Sequence, residues 1–115
     1  MTMVILPHAH FDVDHLEKVR AEMALLGSPR IRAFDCGDHM IAVEGSHRLR
    51  AAAMDGVPVD LVVLDGDGTI DLSTLDIDDN GWFEGERVVP VADLMTWWTK
   101  DGFPMDTTSV EVEAA

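Results

Sequence analysis

The stretch from residue 39 to residue 64 constrains the fold of this 115-residue chain more than any other. It reads HMIAV, EGSHR, LRAAAMDG and VPVDLVVL, so an apolar run is followed by a glycine turn, an alanine-rich segment and a second apolar run. This order predicts a strand, a helix from about His47 to Asp55 that ends at Gly56, and a strand apolar enough for a buried position. We therefore predict a small α/β (α+β) domain in which helices pack on a mixed sheet. The helix residues expected to face the core are Leu49, Ala52 and Ala53.

Another helix is predicted upstream, in DVDHLEKVRAEMALLG, residues 12–27. Either Asp12 or Asp14 can cap its N-terminus, and Glu17 follows Asp14 at the spacing of a capping box. Gly27 supplies the C-terminal stop. The residues expected to face the core recur at helical spacing, and they are Leu16, Val19, Met23 and Leu26.

Short strands are predicted on both sides of that helix. Residues 2–6 form a first strand that Pro7 stops, and RIRAF and HMIAV flank the turn residues DCGD as a hairpin. Residues 65–86 are rich in Asp and Gly, so we expect loops there with one short element near Thr74.

The last part of the chain predicts one more strand and a closing helix. Both lie in RVVPVADLMTWWTKDG, where Gly102 ends the helix. We place one domain at 1–105 and a frayed acidic tail at 106–115. The helix face expected to be apolar carries Val91, Leu94, Met95 and Trp98, and the expected core plug is Trp97, Trp98 and Phe103.

The charge is strongly negative and unevenly distributed. The net charge is −14, with 8 acidic and 6 basic residues in 1–59 but 14 acidic and 2 basic residues in 60–115. Because a nucleic-acid backbone needs a concentrated Lys/Arg face, we expect no direct nucleic-acid binding. The apolar runs are too short for a membrane helix, no secretory leader is visible, and Cys36 is the single cysteine. We expect a cytoplasmic protein without membrane contact.

The turn Gly45-Ser46-His47-Arg48 carries groups that suit a phosphate. A helix N-terminus presents unpaired N–H groups and the positive end of the helix dipole. Gly45 lets a ligand approach the backbone, and the hydroxyl of Ser46 and the imidazole of His47 can donate hydrogen bonds. Arg48 supplies a bidentate fork, and Arg50 can reach the same ligand from the flank. The alternative is that Ser46 only caps the helix while both arginines are solvated.

Residues Ser28 to Leu64 resemble the ParB/sulfiredoxin superfamily. ParB N-terminal domains carry a Gly-Glu-Arg-Arg turn, an Arg-Ala helix, a glycine and a Val-Pro-Val strand. Here Gly45-Ser46-His47-Arg48 is followed by Arg50-Ala51, Gly56 and Val57-Pro58-Val59. Sulfiredoxins carry Gly-Cys-His-Arg after a Gly-Asp hairpin, and Gly37-Asp38 precedes the turn here. The resemblance implies a small α/β fold whose turn binds the phosphates of ATP, ADP or CTP, with Mg²⁺.

The chain also departs from these relatives. Ser46 stands where sulfiredoxins have their nucleophilic cysteine, and a hydroxyl does not supply a thiolate, so sulfinic-acid reductase activity is not expected. Neither the downstream nucleotide motif nor the DNA-binding helical domain of ParB clamps follows Leu64, so we expect no sliding clamp. In free-serine kinases of the same superfamily an acidic residue precedes a similar turn, and Glu44 stands in that place. The resemblance makes Glu44 the candidate base or Mg²⁺ ligand for nucleotide hydrolysis or phosphoryl transfer. The alternative is that Glu44 is a strand-end residue facing water.

Two further clusters of polar residues have simpler explanations. DGDGTID imitates the middle of a calcium-binding loop, but Val63 and Thr74 occupy the two end-ligand positions, so we expect a turn. PHAHFDVDH gathers potential metal ligands, but no second cluster completes a coordination shell, so we predict no metal site. Its potential ligands are His8, His10, Asp12, Asp14 and His15.

Taken together, these patterns predict a nucleotide-binding domain. The phosphates are expected at Gly45, Ser46, His47, Arg48 and Arg50, with Arg30 or Arg32 assisting. The alternative is a non-catalytic acidic adaptor or nucleic-acid mimic, of the kind carried by phages and plasmids. Such a protein would bind a basic protein partner through residues 60–115.

Overall fold

Three helices and seven strands form in the part of the chain that a computed structural model describes. That part comprises residues 1–7, 11–75, 83–100 and 108–115, without the side chains of 98–100. The helices are α1 (Val13–Leu26), α2 (Ser46–Asp55) and α3 (Val91–Lys100). The strands are β1 (Thr2–Ile5), β2 (Arg30–Asp35), β3 (Met40–Ala42), β4 (Asp60–Val63), β5 (Thr69–Asp71), β6 (Val88–Pro90) and β7 (Ser109–Val112).

Five strands form one mixed sheet in the order β4-β2-β3-β1-β7, and β5 and β6 form a separate hairpin. β2 and β3 are antiparallel, with Phe34 opposite Ile41, so the predicted hairpin around DCGD is confirmed. β3 runs parallel to β1 and β2 runs parallel to β4. The α/β prediction of a mixed sheet with packed helices is confirmed.

Both faces of the sheet are covered. Because side chains alternate along a strand, Ile31 and Ala33 of β2 point to the core beneath α1 and α2. Phe34 points to a second core with Val91 and Leu94 of α3. This second core also contains Trp97, which is 7% exposed and packs against the ring of Phe83 at a centroid distance of 6.0 Å. Trp97 therefore acts as the predicted plug, while the side chain of Trp98 and the whole of Phe103 lie outside the described residues.

The C-terminal residues close the sheet. β7 pairs with β1 in antiparallel register, with Val4 opposite Val110. Beyond β7, Ala114 forms a bridge with Val59, and the Val59 N–H donates to the carbonyl of Glu113 at 2.8 Å. The prediction of a frayed tail at 106–115 is therefore wrong for residues 109–115. The apolar and polar residues of this segment alternate, which lets Val112 enter the core at 2% exposure.

The strand in VPVDLVVL is shorter and less buried than predicted. β4 covers Asp60–Val63 only and lies at an edge of the sheet, where Val63 is 54% exposed. A continuous apolar run predicts burial on two faces, but it carries no information on the position of the strand in the sheet. The prediction of a buried strand is therefore wrong.

The ends of α1 differ in one respect from the prediction. Asp12 is the N-cap, because its Oδ1 accepts a hydrogen bond from the His15 N–H at 2.9 Å, and this bond lowers the pKa of Asp12. The predicted capping box of Asp14 with Glu17 is wrong, and Glu17 forms an ion pair with Arg20 instead. Gly27 ends the helix as predicted.

The predicted faces of the helices are only partly correct. Leu16, Val19 and Met23 of α1 are buried, but Leu26 is 83% exposed. In α2, Leu49 and Ala52 are buried as predicted. Ala53 is partly buried, and in α3 Met95 is exposed where burial was predicted.

Residues 65–75 form a turn and two short elements. The carboxylate of Asp65 accepts from the Asp67 N–H at 2.9 Å, and the Gly68 N–H donates to the Asp65 carbonyl, so the predicted turn is confirmed. A one-turn 3-10 helix at Leu72–Thr74 matches the short element expected near Thr74. β5 was not predicted. None of the helices in the described ranges is long and apolar enough to cross a membrane.

Candidate functional site

The turn between β3 and α2 depends on a glycine. Gly45 is the N-cap of α2 and adopts a left-handed conformation, with φ 74° and ψ 33°. A Cβ at this position would collide with Cδ1 of Ile31, which is fully buried. The N-cap glycine has no side chain that could cap the first turn of α2. The alternative that Ser46 caps the helix is wrong, because Ser46 is the first helical residue.

Ser46 places a hydroxyl at this helix N-terminus. The residue is 1% exposed, and its Oγ has no hydrogen-bond partner in the described structure. A buried polar group left without a partner costs roughly 1–3 kcal/mol. A ligand oxygen within reach of Oγ would therefore be stabilised by satisfying that hydroxyl.

The turn opens onto a cavity of about 820 Å³. Volumes of roughly 300–1,000 Å³ are typical of sites for small molecules and cofactors. The wall is formed by three parts of the chain, namely α1 and the residues after it, the turn before α2, and the end of the 3-10 helix. The lining residues are His15, Val19, Glu22, Met23, Leu26, Gly27, Ser28, Pro29, Glu44, Gly45, Ser46, His47, Arg48, Thr74 and Leu75.

His47 joins the beginnings of two helices. Its Nε2 accepts a hydrogen bond from the backbone N–H of Asp12 at 3.0 Å. Its ring also meets the ring of His15 edge-on, with 4.5 Å between the centroids. Because Nε2 accepts, the neutral ring carries its proton on Nδ1. His47 therefore fixes α1 against α2 at the cavity wall.

Glu44 lies between two guanidinium groups. Its Oε2 accepts from Nε of Arg32 at 2.7 Å and from the Arg32 backbone N–H at 3.1 Å, and its Oε1 accepts from Nη2 of Arg32 at 3.3 Å. Arg48 lies on the other side, with Nη2 at 3.6 Å from Oε1 of Glu44. Burial raises the pKa of Glu44, but the hydrogen bonds from Arg32 and the positive charges outweigh it and hold the pKa below its ordinary value.

Arg32 also contacts Thr74, which lines the cavity. Its Nη2 donates to Oγ1 of Thr74 at 2.9 Å and to the Thr74 carbonyl at 3.4 Å. Oγ1 of Thr74 in turn donates to the carbonyl of Asp71 at 2.7 Å. The site is thus linked through side chains to the 3-10 helix.

The remaining predicted arginines lie away from the cavity wall. The guanidinium of Arg50 lies over the ring of Phe11, 4.5 Å from its centroid, and Arg50 is not a lining residue. Arg30 pairs with Asp60 at 3.3 Å, and its carbonyl accepts from Nη1 of Arg48 at 3.2 Å. The structure therefore brings together Glu44, Gly45, Ser46, His47 and Arg48, with Arg32 behind Glu44.

Metal-ligating side chains do not converge within the described residues. No group of three or more His, Cys, Asp or Glu side chains is placed to hold a metal ion there. Asp12 and His15 of the predicted cluster are engaged in the N-cap of α1, and His8 and His10 lie outside the described residues.

Comparisons with known proteins do not identify a relative. No protein-family profile, no curated protein and no solved structure matches the chain. The resemblance to the ParB/sulfiredoxin superfamily stays a prediction from the quoted residues.

Proposed function

We propose that this protein binds a nucleotide, with the phosphates at the N-terminus of α2. One observation carries the proposal. The buried hydroxyl of Ser46, at the first position of this helix, has no hydrogen-bond partner, and Ser46 lines a cavity of about 820 Å³. The N-terminal end of a helix dipole favours an anion at such a position.

The residues of the turn have separate roles in this proposal. The first backbone N–H groups of α2 and Oγ of Ser46 donate to phosphate oxygens. Arg48 adds a positive charge, and its 3.6 Å contact with Glu44 is long enough for a phosphate to compete with it. Gly45 permits the left-handed turn against the core, because any side chain there would collide with Ile31.

The resemblance to nucleotide-binding ParB/sulfiredoxin domains supports the same assignment. It rests on the same turn residues, which the fold places at the cavity. Mg²⁺ enters this proposal bound to the phosphates, where it typically keeps several waters and few protein ligands. Glu44 takes a positioning role, because Arg32 bonds to both of its oxygens.

Thermal shift and calorimetry with ATP, ADP, CTP and GTP, each with and without Mg²⁺, test the proposal. A nucleotide at 100 times its Kd should stabilise the fold by about 2.7 kcal/mol. Arg48→Ala and Ser46→Ala should weaken binding, since each removes a phosphate contact. Arg87→Ala is the matched control, because Arg87 is exposed and pairs with Asp71 outside the cavity.

Two results would contradict the proposal. Equal nucleotide affinity in Arg48→Ala and the wild type would remove the phosphate site from the turn. No shift of the wild type with any nucleotide would reject nucleotide binding. The acidic-adaptor prediction would then be tested by neutralising Asp65 and Asp67, which lie in the acidic half of the chain.

A further inference from the structure

The cavity has an apolar part that phosphate binding leaves unused. Val19, Met23 and Leu26 lie along one face of α1 and line it, and Pro29 and Leu75 add to the same wall. Val19 and Met23 line the cavity while being largely buried in the core, whereas Leu26 is exposed to solvent. An aliphatic surface beside a phosphate site suits a ligand with a charged end and a flat apolar end.

Leu75 packs against the second core, and the polar network of the turn reaches the residue before it. It directly follows Thr74, whose carbonyl and Oγ1 accept from Nη2 of Arg32. Arg32 is in turn fixed by its 2.7 Å bond to Glu44, the residue immediately before the glycine turn. The wall that carries Leu75 and the turn that receives the phosphates are therefore connected through two side chains.

We propose that this apolar part holds the base of the nucleotide and that Arg32, through Thr74, positions Leu75 as its wall. This inference rests on the proposed function, since the phosphates fix the other end of the ligand. It assigns Arg32 and Thr74 as positioning residues and Leu75 as a contact residue. A nucleotide should then bind more tightly than an inorganic polyphosphate, and this difference in affinity comes from the apolar wall and not from the turn.

The chemistry of the wall also predicts which bases bind best. The apolar part is formed by Val19, Met23, Leu26, Pro29 and Leu75, whose side chains carry no N–H, O–H or carbonyl group that could read a base edge. Aliphatic contacts contribute binding free energy in proportion to the apolar area they bury, so a larger base should bind more tightly. ATP and GTP should bind with similar affinity, and both should bind more tightly than CTP.

Calorimetry with ATP, GTP, CTP and inorganic tripolyphosphate tests the inference on four variants. Leu75→Ala removes the contact, and Thr74→Val removes the hydroxyl that Arg32 bonds while keeping the side-chain shape. Both should weaken ATP binding by about tenfold, because small losses in an apolar pocket have this size, with tripolyphosphate binding nearly unchanged. Arg48→Ala should weaken both ligands. Ser73→Ala is the control, since it deletes a hydroxyl of the same 3-10 helix that bonds to Asp71 and not to Arg32.

The outcomes separate this inference from the proposed function. If tripolyphosphate binds wild type as tightly as ATP, or if Leu75→Ala weakens both equally, the base site is rejected while the phosphate site stands. If CTP binds more tightly than both purine nucleotides, selection by area is rejected. If neither ATP nor tripolyphosphate binds wild type, the proposed function fails and the inference fails with it. Melting curves of each variant show that a loss of affinity is not a loss of folding.

Discussion

Glu44 is a largely buried, charged residue in the wall of the candidate site. Its carboxylate is largely buried and shared between Arg32 and Arg48, so one negative charge lies between two positive charges. The trio keeps a net positive charge beside the start of α2. This local charge supports the proposed phosphate site although the whole chain carries a net charge of −14.

Glu44→Gln should reduce stability in a pH-dependent way. Because the folded pKa of Glu44 lies below its ordinary value, the ionised carboxylate stabilises the fold above the unfolded pKa of about 4.3. This contribution is lost as the pH falls through the lower folded pKa. Urea unfolding should therefore separate wild type from the variant at pH 7, and the gap should close toward pH 3.

Glu111→Gln provides the comparison for that experiment. Glu111 lies on β7 with its side chain exposed, so its replacement should change stability less at pH 7. A gap between wild type and Glu44→Gln that stays constant from pH 7 to pH 3 would contradict the assigned ion pair.

The sequence was sufficient to find the turn but not its surroundings. Gly45, Ser46 and Arg48 are close in the chain, so their chemistry can be recognised together. The bonds of Arg32 to Glu44 and Thr74 span 12 and 42 positions, and no local pattern predicts them. Arg50 shows the same limit, because its contact with the ring of Phe11 depends on how α1 approaches α2.

At the scale of elements, α2 begins and ends at glycines with left-handed backbones. Gly45 has φ 74° and Gly56 has φ 66°. The two differ in their surroundings, since a Cβ would collide with Ile31 at Gly45 and would meet nothing within 4 Å at Gly56. Comparing alanine substitutions at Gly45 and Gly56 therefore distinguishes the cost of the left-handed backbone from the cost of the collision with Ile31.

Gly45→Ala should destabilise the protein more than Gly56→Ala. Each substitution imposes a left-handed conformation on alanine, which costs about 1–3 kcal/mol. Gly45→Ala must also displace Ile31 from the core, so its urea midpoint should be the lower of the two. Equal midpoints would show that Ile31 yields without cost.

The elements that the sequence predicted best are those with local signals. Gly27 and Gly56 end α1 and α2 as predicted, and the turn residues DCGD mark the β2–β3 hairpin. β4 was misjudged because apolar content does not reveal whether a strand is central or at an edge. Leu26 fits the helical period of α1, yet it is the last residue of the helix and lines the cavity instead of packing in the core.

At the scale of the whole molecule, residues from both ends of the chain complete one sheet. β7 pairs with β1, and residues 113–115 reach Val59 ahead of β4 at the opposite edge. The position of this segment at the C-terminus predicted a frayed tail here. The alternation of Val110 and Val112 with polar residues was the signal that indicated a strand.

Val112→Ala should lower the free energy of unfolding by about 1–3 kcal/mol, because it removes two buried methyl groups and leaves a cavity in the core. Glu111→Ala, on the exposed side of the same strand, should change it by less than about 0.5 kcal/mol. Chemical unfolding of both variants measures the difference. A Val112→Ala variant as stable as wild type would mean that β7 does not contribute to the core.

The closure of the sheet also bears on the order in which the chain folds. Thr2 is paired with Val112, so this contact closes a loop that contains nearly the whole chain, and its entropic cost comes before any gain. The β2–β3 hairpin and the two helices that flank it need only short loops. The transition state should therefore already contain the hairpin, and pairing of β1 with β7 should follow as a late step. Substitutions in β7 will then act mainly on the unfolding rate, which makes this strand the element that sets how long the folded molecule persists.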